Sequence, residues 1–245
     1  GRKSGIHSAA IKKMFKEKIF TIHIQDPKIS HNYFDIVICP DHDKINGKNI
    51  IKTKGAIHYL SNKEVDKNKN YIKIERENKK IVSFILGGPN RYYDYSEDQV
   101  NIIFNQVKTL FTPDKYKLIV IPSYRTPENI IKKAFNTFSH NNIVFKNVDK
   151  KAYLSSLSIA DIIVVSCDSI SMISEAAVTG KPIYVANMNP IKDNSRFRNF
   201  YEQFKKLGIL RDLENTVDLW SYNQLDEVNR IAPIIKNKMK LNGII

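Results

Sequence analysis

The arrangement of apolar and polar positions changes character part-way along the chain. From residue 81 onward, short apolar runs rich in β-branched residues alternate with longer stretches whose apolar positions recur at helical spacing. The pattern predicts strands over 81–86, 117–122, 142–145, 162–166 and 182–185, with helices over 97–111, 127–139, 150–160, 171–178 and 196–207. Strand and helix alternating in this way predict right-handed βαβ units and a parallel, doubly wound α/β sheet. Upstream, apolar runs at 19–25, 35–39 and 49–53 read as three short buried strands, the first two separated by the Pro-containing loop 26–34. They follow a helix whose apolar residues Ile11, Met14, Phe15 and Ile19 are expected to cover a sheet.

The most polar stretch, 61–80, places a domain boundary near residue 78. The expected organisation is a first α/β domain over 1–78, a second over 79–210, and a tail over 211–245. The last helix of that tail, 225–239, is expected to fold back on the first domain. The chain opens Gly1-Arg2-Lys3-Ser4-Gly5 and enters its first helix with no strand before it. A glycine-basic turn into a helix commonly follows a strand, so the first domain is expected to lack its opening strands.

Composition narrows the class without changing this picture. In 245 residues, 42% are apolar, and only 9 Gly and 9 Pro are present, which excludes a collagen-like or disordered chain. No apolar run approaches the roughly 18–20 residues of a bilayer-spanning helix. Cys39 and Cys167 each follow an apolar run and stand far apart, which fits a reducing cytoplasm rather than a disulfide or zinc framework.

The net charge of +14 is diffuse: basic residues outnumber acidic by 11 to 5 in 1–60, 11 to 8 in 61–120, 6 to 5 in 121–180 and 11 to 7 thereafter. Without a concentrated patch, no nucleic-acid partner is expected. The steepest local excess lies along the first helix, where Arg2, Lys3, Lys12, Lys13, Lys16 and Lys18 face one acid, Glu17. Peripheral contact with an anionic membrane is the alternative to simple sheet-covering there.

Open parallel sheets bind ligands beyond the carboxyl ends of their strands, so the residues after each strand are the candidates. Gly87-Gly88-Pro89-Asn90 would let backbone approach a ligand closely. Ser123-Tyr124-Arg125-Thr126-Pro127 supplies a hydroxyl, an aromatic ring and a guanidinium suited to phosphate or carboxylate, with Thr126 as the cap of the helix that Pro127 opens. The run Asp168-Ser169-Ile170-Ser171-Met172 then brings hydroxyls and backbone amides to a helix start, a setting that favours phosphate. Glu175, one turn on, is placed to accept the two hydroxyls of a ribose. The plainer reading has Ser171 as the helix cap and Glu175 as a complement to the helix dipole. In the first domain, Pro40-Asp41-His42-Asp43 offers Asp41 or His42 as a general base, or a simple turn. No second His or Cys cluster supports a metal, and no cofactor is implied.

Taken together, Phe34-Asp35-Ile36-Val37 with Pro40-Asp41-His42-Asp43, the run from Asn49 to His58, Gly87-Gly88-Pro89, Ser123 with Arg125-Thr126-Pro127, and Asp168 to Ala176 resemble the mitochondrial-fission family of elongated-mitochondria (ELM) type, which has plant and bacterial members. The opening Gly1-Arg2-Lys3 and the late Arg211 and Trp220 are similar to its pattern, so the resemblance covers nearly the whole chain. The Lys-, Ile- and Asn-rich composition points to a bacterial member. That family resembles GT-B glycosyltransferases, in which two Rossmann-like domains face a cleft and the second holds a nucleotide sugar.

The resemblance implies a metal-independent transferase with Glu175 on the ribose, Ser169, Ser171 and the helix start on the diphosphate, and Arg125 on the leaving group. Gly87, Gly88, Asn90, Ser123, Asp168 and Met172 would complete the ligand-binding set, and Asp41 or His42 would serve as base. The glycine pair that many GT-B enzymes carry before this glutamate is replaced by Ser169 and Ser171. A non-catalytic adaptor with a vestigial cleft, or a two-domain nucleotide-sugar epimerase, are the alternatives.

Overall fold

A computed structural model describes residues 2–245, with side chains from Ser4 onward, so Gly1 and the Arg2 and Lys3 side chains of the basic opening lie outside the described residues. In chain order the elements are α1 (Arg2–Phe15), β1 (Ile22–Ile24), β2 (Ile36–Pro40), β3 (Ile50–Thr53), α2 (Asn62–Asp66), β4 (Lys80–Leu86) and α3 (Glu97–Leu110). There follow β5 (Tyr116–Pro122), α4 (Glu128–Phe138), β6 (Ile143–Val144), α5 (Lys150–Ile159), β7 (Ile162–Ser166) and α6 (Ile170–Ala176). The chain ends with β8 (Ile183–Ala186), α7 (Ser195–Lys206), β9 (Leu210–Asp212) and α8 (Glu227–Leu241). Every strand pairing is parallel among the described residues.

The chain divides into two compact units, 1–59 with 226–245, and 60–225. The first is a three-stranded sheet in the order β1-β2-β3. All five residues of β2 are buried, because both of its faces are covered. One face packs Val37 and Cys39 with Phe34 and Ala9 of α1. The other packs Ile36 and Ile38 with Ile51 of β3 and Ile231 of α8. Polar bonds fix α8 in place: the Lys54 amide donates to Glu227 Oε2 at 2.8 Å, and Arg230 Nη2 donates to the Lys52 carbonyl at 2.5 Å.

The expected sheet-facing side of α1 requires correction. The helix covers the sheet through Gly5 and Ala9, small enough for close approach, while Ile11, Met14 and Phe15 are exposed, Met14 by 74%.

The second unit is a six-stranded sheet in the order β6-β5-β4-β7-β8-β9. Its central strands are mostly apolar and buried along nearly their whole length, as parallel strands covered on both faces are. In α3, Val100, Ile103, Phe104 and Val107 recur at helical spacing and are buried, with Glu97 and Asp98 favourably placed at the positive helix start. Phe104 meets Phe84 of β4 and Phe138 of α4 edge-on, at centroid distances of 6.1 and 5.1 Å.

The expected boundary near 78 moves to 59/60. Residues 61–78 look like a linker by polarity, yet they are fastened to α5 and the loop after it. The Ile72 amide donates to Ser155 Oγ at 3.0 Å, Ser158 Oγ to Asp66 at 2.9 Å, and Arg76 to Asp161 at 2.6 Å. The tail divides as well. Residues 211–225 belong to the second unit, where β9 pairs with β8 and Trp220 stacks edge-on against Tyr184 at 5.1 Å. Only the segment from 226 onward joins the first.

Candidate functional site

Strand order sets the location. From β4 the chain winds outward through β5 and β6, then returns to the other side of β4 to lay down β7, β8 and β9. The winding therefore reverses between β4 and β7, which pair from Val82↔Ile162 to Ile85↔Val165. At such a switch point the loops beyond the two carboxyl ends diverge and leave a crevice. Here those loops are 87–90 and 167–169.

Asp168 joins them. Its side chain is fully enclosed, and its carboxylate accepts from the Gly88 amide at 3.1 Å, from Ser166 Oγ at 2.7 Å, from the Tyr95 hydroxyl, and from Arg125 Nη2 at 2.5 Å. A carboxylate with four donors, one of them charged, is stable in a dry interior where an unpaired one would not be. Arg125 Nη1 also donates to the Gly88 carbonyl at 2.7 Å, and the Gly87 amide donates to Ser166 Oγ at 2.8 Å. The Asn90 side chain closes its own loop, accepting from the Tyr92 amide at 2.7 Å and donating to the Asp168 carbonyl at 3.2 Å.

The two glycines follow from this packing. A Cβ on Gly87 would overlap the Asp168 carboxylate, and one on Gly88 would overlap the backbone carbonyl of Arg125. Ser123 joins through Thr126, whose Oγ1 accepts from the Ser123 amide at 2.9 Å. Thr126 does not cap the helix as expected: the cap position is Pro127, and the Thr126 hydroxyl instead faces the Leu86 and Gly87 carbonyls at 2.9 and 2.5 Å.

On the far lip, α6 is capped by Ser169 rather than Ser171, with Ser169 Oγ accepting from the Met172 amide at 3.4 Å. Ser171 is exposed and Met172 half-buried. Glu175 is half-buried one turn along, its Oε2 accepting from the Tyr153 hydroxyl of α5 at 2.8 Å. Gly87, Gly88, Asn90, Ser123, Arg125 and Asp168 thus form one bonded cluster, with Ser169, Ser171, Met172 and Glu175 leading away from it along α6. Asp41 and His42 belong to the other unit. There Asp41 pairs with Lys54 at 3.1 Å, and His42 is buried in the turn that follows β2.

Tyr95 and Tyr153 were not anticipated, whereas Ser166 belongs to the hydroxyl-rich strand end that the sequence pointed to. Tyr95 adopts the left-handed backbone conformation with φ of 59°, and burial together with the Asp168 charge pushes its hydroxyl pKa well above the ordinary range, so it remains a donor. The tyrosine-rich run 92–95, so close behind a Gly-Gly-Pro turn, was the available signal. Cys167 lies in the same loop, but burial pushes its thiol up to about 12, which leaves it a packing residue rather than a nucleophile.

The family model for mitochondrial fission ELM1 matches residues 1–239. The chain belongs to this family. Among its relatives, a protein of Rickettsia prowazekii is 27% identical over 286 residues, an alignment covering 99% of this chain and 79% of that protein. The mitochondrial fission protein ELM1 of Arabidopsis thaliana is 24% identical over 273 residues, with 99% of this chain covered. The chain spans 63% of that plant protein's length.

Two solved structures show the fold of this family member. The UDP-GlcNAc 2-epimerase of Methanocaldococcus jannaschii superposes with a TM-score of 0.52 at 14% identity, covering 94% of this chain and 73% of the epimerase. S. aureus MnaA, solved with UDP, gives a TM-score of 0.50 at 12% identity, covering 99% and 72%. The fold is the α/β type shared by GT-B glycosyltransferases and these epimerases, as the resemblance implied.

Proposed function

We propose that the second unit binds a nucleotide sugar at the switch point between β4 and β7 and donates its sugar to an acceptor hydroxyl. The observation that carries this reading is the switch point itself, where α6 starts beyond the end of β7 and the half-buried carboxylate of Glu175 follows one turn along. MnaA of the same fold was solved with UDP, which supports a nucleoside diphosphate as the shared element. Glu175, oriented by Tyr153, accepts the ribose hydroxyls. Ser169, Ser171 and the backbone amides of 169–172 receive the diphosphate, and the open side of Arg125 offsets the charge on the departing group. The bond from the anomeric carbon to the diphosphate oxygen breaks, a bond to the acceptor oxygen forms, and the acceptor proton passes to a base.

The test is thermal denaturation of the 245-residue chain with UDP, GDP, CMP and ADP sugars. A ligand at 100 times its Kd stabilises by roughly 2.7 kcal/mol, a shift readily measured. Glu175→Ala should abolish the shift without unfolding the protein, and an unchanged shift overturns the assignment. Turnover of the sugar with no acceptor present would make the reaction an epimerisation.

A second reading, peripheral docking on an anionic membrane, is favoured by the outer face of α1. Ile6 and Met14 are 65% and 74% exposed there, and Lys13, Lys16 and Lys18 stand exposed nearby. Co-sedimentation with phosphatidylserine vesicles that Met14→Glu abolishes would support it. Binding that ignores the substitution would refute it.

A further inference from the structure

Far from the switch point, the second unit contains a cavity of about 570 Å³ that the proposed function does not use. It lies at the start of β4, beside Ile81, whereas the candidate site lies beyond the end of that strand. Six residues of strand separate the two, or roughly 20 Å at the usual rise. The cavity is roofed by the segment that resembled a linker, 66–76, where it crosses the end of α5. Its volume falls within the roughly 300–1,000 Å³ of small-molecule sites and far exceeds that of a trapped water.

The lining divides chemically. Ile72, Ile74, Ile81 and Ile159 supply apolar wall, and Lys69, Lys73 and Arg76 supply positive charge. Arg76 is committed, donating to Asp161 at 2.6 Å and to the Ile159 carbonyl at 2.8 Å. Asp66 is held by Ser158 at 2.9 Å. Lys69 and Lys73 take part in no ion pair among the described residues, and both are exposed. Two uncommitted ammonium groups beside an isoleucine wall suit a ligand with an anionic head and an apolar body.

We propose that this cavity binds a phosphate monoester bearing a short apolar group, with the phosphate held by Lys69 and Lys73 and the apolar group laid against Ile72, Ile74 and Ile159. The ammonium groups supply point charges for the dianion, and the isoleucines supply affinity that free phosphate cannot use. Such a site lies apart from Glu175 and responds to a different molecule than the nucleotide sugar.

Isothermal titration of the 245-residue chain with hexyl phosphate tests it, with inorganic phosphate and 1-hexanol as the two half-ligands. Hexyl phosphate should bind saturably at one site, roughly tenfold or more tighter than inorganic phosphate, since each buried methylene adds affinity. Lys69→Glu combined with Lys73→Glu should abolish that binding. Both side chains are exposed, so the variant should keep its melting temperature, and Glu175→Ala should bind hexyl phosphate normally. Equal affinity for hexyl phosphate and inorganic phosphate, no binding of either, or full binding by the double variant would each overturn the proposal.

Discussion

Arg125 reaches across Gly88 to Asp168: one guanidinium nitrogen donates to the Gly88 carbonyl at 2.7 Å and the other to the enclosed carboxylate at 2.5 Å. The pair ties the loop after β5 to the loop after β7 and clamps the glycine turn between them. Its two members are unequal, because the Arg125 side chain is 41% exposed and that of Asp168 not at all. Removing Asp168 strands the guanidinium together with the Gly88 amide, the Ser166 hydroxyl and the Tyr95 hydroxyl. Removing Arg125 leaves the enclosed carboxylate with three neutral donors and no counter-charge. Asp168→Ala should therefore cost about 3 kcal/mol or more through its stranded donors, and Arg125→Ala about 3 kcal/mol through the uncompensated buried charge. Urea denaturation of both variants decides it, and a loss of less than about 1 kcal/mol in either would contradict the account.

The glycines make a sharper case. Gly87→Ala and Gly88→Ala each drive a methyl group into a fixed neighbour, the Asp168 carboxylate or the Arg125 backbone, neither of which is the far end of a flexible chain. Gly208, with φ of 69° and nothing near its Cβ position, faces only backbone strain. The expected loss is about 3 kcal/mol or failure to fold at positions 87 and 88, against about 1 kcal/mol for Gly208→Ala. Thermal denaturation of the three variants would rank them, and a mild effect at 87 would show that the loop can yield.

The Tyr153 hydroxyl holds Glu175 at 2.8 Å, so its influence on ligand binding passes through that carboxylate. Tyr153→Phe keeps the ring and removes the donor. On the nucleotide-sugar reading it should weaken binding roughly ten- to hundredfold, the worth of one hydrogen bond to a charged group, with little change in melting temperature. An unaltered Kd in a titration would remove Tyr153 from the positioning role.

Much of the second unit is legible in the sequence because parallel strands covered on both faces must be continuously apolar, and Ile162 to Val165 and Leu118 to Ile121 cannot be mistaken for surface. What polarity conceals is attachment. Residues 61–78 read as a linker since most of their side chains are solvated, yet Ile72, Arg76 and Asp66 bind partners at Ser155, Asp161 and Ser158, more than 80 residues away. A separation of 73 residues likewise hides Tyr95 and Asp168 from one another. Asp168 was legible as part of a strand-end cluster, but that it supports the loops from beneath depends on three donors from other elements. On α1, Ile11, Met14 and Phe15 have the spacing of a buried face, and the inward side is instead set by Gly5 and Ala9, whose small size permits contact but carries no hydrophobic signal.

Lys181 provides a test of burial through pH. Its ammonium donates to the Leu157 carbonyl at 2.9 Å and to that of Ser158, at the end of α5, and burial pushes its pKa down from 10.5 to about 8. A lysine depressed in the folded state is protonated more readily when unfolded, so between pH 8 and 10.5 the unfolded chain binds the extra proton. Stability should therefore rise with pH across that window, by up to about 1.4 kcal/mol per unit. The tyrosines act in the opposite direction: burial raises Tyr93, Tyr95, Tyr201 and Tyr222 above 10, so stability falls once unfolded tyrosines ionise. The thiols of Cys39 and Cys167, pushed by burial from 9 up to about 12, also lower stability once their unfolded counterparts ionise near pH 9, so the Lys181 contribution is read as the difference between the native chain and Lys181→Met. Over pH 8–9.5 the melting temperature of the native chain should rise relative to that of Lys181→Met, whereas parallel curves would mean that the Lys181 ammonium is better solvated than its burial implies.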